Sequence, residues 1–331
     1  MINNQQMSSF LDAHKKRYGI EQTKSAFYKI AKNNQQQAAL QINQATLTFP
    51  TLYVLIPEIQ ALSMYNVLNT RNAYAVQFCA KILHDDSLAQ PIQIQPATRE
   101  QKYHVLKWMF VTGWQEDGLC NQFDHILDIV TAVLIKQYKD QSILPTIVHE
   151  IFERNQKGFL VHDLVWNFYQ ARNPNALKLV ARYLQSSNPE DVKLACEILH
   201  FTPEIEQEVP GNPHSKYEAY LNWFQENQPY FYFSGESMQC SSEPEAFKID
   251  LDAKYLTKSR PAASNKKIHP LNKFEQEQLK QFKNVQDPDQ KLLSNYSCRM
   301  HSLNPQLWNQ WMHSDIHQQL QAAKSQEGNA Q

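Results

Sequence analysis

Apolar residues recur through the middle of the chain at the three- and four-residue spacing that places them on one face of a helix. Phe123, Ile126, Leu127, Val130, Leu134 and Tyr138 form one stripe, and Leu160, Leu164, Val165 and Phe168 form another. Such a face needs a neighbour to bury it, so helices are expected to pack in succession from about residue 58 to about 205. Punctuation agrees. Ser142 precedes a segment with Pro145 in its first turn, the segment carries Ile147, Val148, Ile151 and Phe152, and Gly158 stands where a helix turns left-handed. Upstream, residues 1–45 are rich in Gln, Asn and Lys, with Phe10, Leu11, Phe27 and Ile30 spaced for one or two amphipathic helices. Residues 46–57 are apolar with prolines at 50 and 57; they suit a short strand, but Pro57 followed by Glu58 also suits a first helical turn, and the segment reads as a loop leading into a helix.

Beyond Phe201 the texture changes. Pro203, Pro210, Gly211 and Pro213 fall within residues 202–215 and predict a linker. Tyr217, Tyr220, Leu221 and Phe224 predict a helix over 216–227, followed by Pro229-Tyr-Phe-Tyr-Phe-Ser-Gly235, whose rings need cover from the chain itself or from a partner. Residues 236–270 are mixed and polar, 271–283 and 305–324 read as helices, and 325–331 read as a disordered tail. The expected division is an N-terminal helical or irregular segment (1–57), a helical repeat domain (58–205), a linker with an aromatic segment (206–270) and a C-terminal helical subdomain (271–331).

The chain also repeats itself. Asn173-Pro-Asn-Ala-Leu-Lys-Leu-Val-Ala-Arg-Tyr-Leu184 aligns without a gap with Asn188-Pro-Glu-Asp-Val-Lys-Leu-Ala-Cys-Glu-Ile-Leu199. A third copy begins near Asn72, where Val76-Gln-Phe-Cys-Ala-Lys-Ile-Leu-His84 matches Val192-Lys-Leu-Ala-Cys-Glu-Ile-Leu-His200. The wider offset is about three units of roughly 39 residues. Asn caps free backbone N–H groups, Pro loses no hydrogen bond at the first helical position, and small Ala195 and Cys196 let another helix approach.

Residues 188–199, with their proline-acid-acid-valine-basic opening, resemble the second helix of a HEAT repeat; Ala75 departs from that pattern at the Asp191 position. The resemblance implies an all-α fold of short antiparallel helix pairs, stacked as a HEAT-like solenoid or an irregular helical bundle, with a mixed, partly irregular C-terminal region. Stacked repeats present a long face to a partner, so it also implies a protein–protein interaction or assembly scaffold without catalysis. A second implied class is a nucleic-acid-binding enzyme similar to the helical-repeat DNA glycosylases, which would cluster Lys102, Lys107, Lys136, Lys178, Arg182 and Lys193 beside an exposed Trp and Asp.

Composition narrows these readings. With 331 residues, 42% hydrophobic and 20% charged, the chain has enough apolar material for a large core. Its 7 glycines are few for tight turns or phosphate-cradling loops, which favours helices. Lys and Arg number 32 against 33 acids, so a dominant nucleic-acid role is disfavoured, although a local basic face fits inside a neutral total. The five cysteines are scattered and never paired as C-x-x-C; Cys79, Cys120 and Cys196 lie in or beside apolar segments and read as reduced core residues. The first residues lack a secretory signal's basic and apolar regions, and the longest strongly apolar run, 129–135, is far short of a membrane span; a cytoplasmic location without membrane insertion is expected.

Candidate chemistry is sparse. His149-Glu150-x-x-Glu153 lacks the second histidine of a zinc-protease helix. His313 and His317 have the spacing to share an ion, with Cys298 and His301 upstream, but such spacing is common in amphipathic helices. Asp124-His125 and His162-Asp163 are adjacent and do not face one another on a helix, while Asp85-Asp86 and Glu116-Asp117-Gly118 suit caps and turns. No Walker loop, G-x-G-x-x-G or G-x-S-x-G occurs. No catalytic residue, metal ligand or cofactor is therefore assigned. Tryptophans at helical spacing, Trp166 among them, usually pack in cores, but exposed aromatics anchor interfaces. Trp108, Trp114, Tyr230, Phe231, Tyr232, Trp308 and Trp311 are accordingly the candidates for contact with another protein or a second copy.

Overall fold

The computed structural model describes residues 8–84, 97–200, 213–234, 246–259 and 270–327. Among them are eighteen α-helices and one two-stranded sheet, so the fold is all-α with a mixed C-terminal region. Two compact units divide the chain, Met1–Asp140 and Gln141–Gln331. Their boundary lies inside the 58–205 segment expected to be one domain, and residues 1–57 share a unit with residues 58–140.

In the first unit, α1 (Phe10–Tyr18), α2 (Ile20–Asn33) and α3 (Gln35–Ile42) pack in succession and bury Leu11, Phe27, Ala38 and Ile42. Only Gly19 separates α1 from α2, and its φ of 86° is a conformation that a side chain would strain. Residues 46–57, expected as a loop, instead start two short helices, α4 (Phe49–Val54) and α5 (Ile56–Ala61). Pro50 and Pro57 stand in their first turns, where the missing N–H has no intrahelical partner to lose. The third repeat copy is also displaced. α6 (Thr70–Leu83) is capped by Asn69, and Asn72 lies inside it, donating from Nδ2 to the Ile42 carbonyl at 2.7 Å. Arg71 donates to the Gln44 and Ala45 carbonyls, so the first turn of α6 supplies partners to acceptors at and beyond the end of α3. α7 (Arg99–Gly113) and α8 (Asn121–Lys136) complete the unit. They approach closely at Gly113, where a Cβ would stand 2.4 Å from Leu127 Cδ2.

The second unit starts with α9 (Leu144–Gln156) and α10 (His162–Gln170). Gly158 takes φ 72°, as the sequence predicts. The two Asn-Pro copies become a 3₁₀ turn leading into α11 (Leu177–Ala181), and then α12 (Pro189–Ile198). Asn173 and Asn188 each cap their segment, accepting from Asn175 N and Glu190 N at 3.0 and 3.1 Å. The matched copies also end alike, since His84 and His200 both adopt the left-handed conformation.

α13 (Pro213–Asn227) leads to β1 (Phe231–Phe233), which pairs antiparallel with β2 (Phe247–Ile249). The predicted linker and Gly235 lie wholly or mostly outside the described residues. α14 (Leu251–Tyr255), α15 (Lys273–Lys283), α16 (Asp287–Leu303), α17 (Pro305–Met312) and α18 (Ile316–Glu327) surround a core of Tyr255, Leu279, Phe282, Leu293, Trp311 and Met312. Sequence patterning misses α16, because Ser294 and Ser297 face its core and interrupt the apolar stripe. The helix predicted over 305–324 is two helices, broken at 313–315. Among the described residues no helix is long and apolar enough to cross a membrane.

Candidate functional site

Most of the aromatic anchor candidates are used inside the units. Trp114, Tyr230, Phe231 and Trp311 are buried. Phe231 packs on Trp223 and Phe224, and Trp311 packs on Tyr255 and Tyr296 while its Nε1–H donates to the Gln319 carbonyl. Trp108, Tyr232 and Trp308 are half-buried. Trp108 donates to the Leu47 carbonyl beneath the Arg71 guanidinium, 4.2 Å from its ring, and Trp308 donates to Ser297 Oγ. Trp108, Trp308 and Trp311 thus satisfy their N–H groups internally, as burial requires.

The titratable pairs do not converge. His149 is exposed whereas Glu150 is buried, so they point to opposite sides of α9, and Glu153 faces Lys157 at 3.6 Å. His313 and His317 do not share a helix. Asp315 Oδ1 accepts from His317 N at 2.8 Å and starts α18 afresh, while the His313 ring stacks on Phe274 at 4.2 Å. Cys298 lies 3.6 Å from Tyr230 Oη, and His301 meets the Trp308 ring edge-on, so this pair also engages different neighbours. Asp124 accepts from Gly118 N, Glu116 pairs with Lys15 at 2.6 Å, and His125, His162 and Asp163 are exposed. Asp85 and Asp86 lie outside the described residues. No group of three or more His, Cys, Asp or Glu among the described residues is placed to hold a metal. Of the six cations of the glycosylase-like reading, Lys107 is engaged by Asp140 at 2.8 Å and Lys178 lies over the Phe224 ring.

What sequence reading missed is a cavity of about 430 Å³ inside the first unit, within the size range of ligand pockets. Ile20 and Lys24 of α2, Tyr53 of α4, Pro57 of α5, Leu83 at the end of α6 and Cys120 before α8 all line it. Its wall is mostly apolar, with a hydroxyl, a thiol and an ammonium group at its edge. Lys24 Nζ reaches Glu21 at 3.0 Å, and Tyr53 Oη stands 3.7 Å from Cys120 Sγ. Burial, reinforced by the Cys120 contact, pushes the Tyr53 hydroxyl well above the usual phenol range and keeps it protonated. Cys120 corrects an expectation: it is exposed rather than core, because α8 begins at Asn121 and leaves it as the extended residue before the helix. Cys79 is buried, which raises its thiol, while Cys196 and Cys298 are half-buried; none of the four forms a disulfide. Cys240 lies outside the described residues. The arrangement can shelter a small apolar ligand, but its residues come from five separate segments, so no local spacing announces it.

Compared with known proteins, the chain matches no family model, no curated protein and no solved structure.

Proposed function

We propose that the protein is a HEAT-like helical binding module without catalysis of its own, which takes a protein partner onto rigidly held apolar corners of its second unit. The observation that carries this reading is the corner after α9. Phe159 N donates to the Arg154 carbonyl at 2.9 Å and Gly158 N to the Asn155 carbonyl at 3.0 Å, the paired bonds of a Schellman cap. That cap usually folds the next apolar residue back onto the helix. Here Phe159 is half exposed and Leu160 is 89% exposed, so two adjacent apolar side chains are displayed from a fixed backbone. A lone exposed leucine is ordinary, but an ordered adjacent pair presents its area with little ordering entropy left to lose on binding. A second corner repeats the device. Asn304 accepts from Gln306 N and Leu307 N between α16 and α17, and Leu303 and Leu307 on either side are exposed.

Quantitative affinity capture with the full chain tests the proposal. Proteins retained by the wild type should be lost by Leu160→Asp or by Leu303→Asp, and kept by Val111→Asp, an exposed change on α7 of the first unit. A captured set indifferent to both corner substitutions sinks it. Light scattering over a wide concentration range identifies a second copy as the partner.

A further inference from the structure

The first two helices display a face that their packing does not use. Phe10, His14 and Tyr18 follow at four-residue spacing, so their rings climb one side of α1. Their centroids are 5.9 and 4.7 Å apart, and Phe10 and Tyr18 are 47% and 49% exposed. Leu11, Asp12 and Lys15 take the buried side. His14 Nδ1 lies 2.9 Å from Thr23 Oγ1 of α2. The Thr23 hydroxyl proton goes to the Gly19 carbonyl, so its oxygen accepts from His14 Nδ1–H and holds the ring in place.

Cations interleave with these rings. The Arg17 guanidinium lies 5.2 Å from the Tyr18 centroid, and on α2 the Lys32 ammonium lies 5.5 Å from the centroid of exposed Tyr28. Residues 8–45 carry six Lys and Arg against two acids, in a chain whose total charge is -1. Neither acid is available to balance the face. Asp12 is buried, accepting from Thr48, and Glu21 holds Lys24. Among the described residues, Lys16, Arg17, Lys29 and Lys32 are exposed and in no ion pair.

We propose that this outer side of α1 and α2 binds single-stranded nucleic acid, unpaired bases stacking on Phe10, His14 and Tyr18 while Lys16, Arg17, Lys29 and Lys32 meet the phosphates. Exposed rings set among cations are what a sequence-tolerant single-strand site requires, since every base offers a π-face and every nucleotide a charge. A lipid surface fits less well. The larger aliphatic side chains at the surface of α1 and α2, Ile20 and Ile30, are both half-buried, whereas an interfacial helix displays a continuous aliphatic stripe. The site uses no residue of the α9 or α16 corners, so it stands apart from the protein-partner proposal.

The test is fluorescence anisotropy with the full chain and labelled oligo-U and oligo-dT of about 12 nucleotides. A duplex of the same length and phosphatidylcholine vesicles containing phosphatidylserine serve as competing ligands. Four phosphate contacts predict that log affinity falls with log salt at a slope of about -3 between about 50 and 200 mM. Phe10→Ala with Tyr18→Ala should weaken binding about tenfold or more. Arg17→Glu with Lys29→Glu should flatten the salt slope. Because all four side chains are exposed, unchanged melting temperatures should accompany both variants. The proposal is overturned by no oligonucleotide binding within about 100 µM at low salt. It is equally overturned by equal affinity for the duplex, by binding to vesicles without oligonucleotide, or by indifference to the ring substitutions.

Discussion

Around the end of α3 in the first unit, polar side chains reach backbone: buried Asn72 meets the Ile42 carbonyl, half-buried Asn43 Nδ2 the Val67 carbonyl, and half-buried Arg71 the carbonyls of Gln44 and Ala45. In the C-terminal part of the second unit they reach one another. Tyr255 Oη donates to Gln319 Oε1 at 2.6 Å and lies 3.3 Å from Gln278 Oε1, which accepts from Gln319 Nε2, and Gln319 Nε2 also donates to the Ser314 carbonyl. Lys254, almost fully buried, donates to Asn227 and Asn295. The first arrangement directs most of its hydrogen bonds to backbone carbonyls, with Asn72 touching the Arg71 and Asn43 side chains besides. The second is a shared network in which a single deletion orphans several groups in a region of low dielectric.

Phe282 is fully buried and stacked 4.4 Å from Tyr255, so Phe282→Ala is expected to cost about 3–5 kcal/mol. Hydrogen exchange should show protection lost through α14, α15 and α16; protection lost equally through α1 to α3 would break the contrast between units. Next comes Gln319→Leu, expected to cost about 3 kcal/mol by urea unfolding, against about 1–2 kcal/mol for Asn72→Leu. A larger loss at Asn72 would refute the distinction between a buried side-chain network and side chains that mainly serve backbone.

Smaller effects follow at the helix starts. Asn188→Ala should remove about 1 kcal/mol, measured by thermal unfolding, because it uncaps α12; Asn173→Ala should remove less, because it opens only a 3₁₀ turn. The smallest effect is electrostatic. Burial alone would raise Glu275, but the Lys258 ammonium at 2.6 Å and the Asn272 N–H outweigh it and hold the carboxyl below its ordinary value of 4.5. A carboxyl lowered in the fold adds stability above that ordinary value, and the gain disappears as pH falls through the lowered one. Glu275→Gln keeps a capping acceptor but loses the charge, so it should reduce stability at neutral pH by about 0.5 kcal/mol, and the loss should shrink as pH falls below the ordinary carboxylate value. A loss that does not change with pH would exclude a contribution from the ion pair.

Legibility followed distance along the chain. The caps at Asn173 and Asn188, the left-handed Gly158 and the stripe of α8 were readable, since each joins residues within a turn or two. The break between His313 and His317 was also written locally, in Ser314-Asp315 ahead of α18, but the i,i+4 spacing masked it. α16 was hidden for another reason: Ser294 and Ser297 are buried with their hydroxyls hydrogen-bonded to the Lys291 and Tyr255 carbonyls, so polarity did not signal exposure. The cavity beside Tyr53 and Cys120 had no local signal at all.

Sequence by itself determined the helical class and most helix positions, because apolar periodicity, proline in a first turn and side-chain caps act over a few residues. Tertiary structure alone decided which rings face inward. Phe231 is covered by Phe247 of the paired strand and Trp311 by Tyr255, both distant along the chain, whereas Phe10 and Tyr18 meet no such cover and remain half exposed. Burial depends on what packs opposite, and that depends on contacts across tens of residues, so identical ring chemistry became core in one place and a displayed surface in the other.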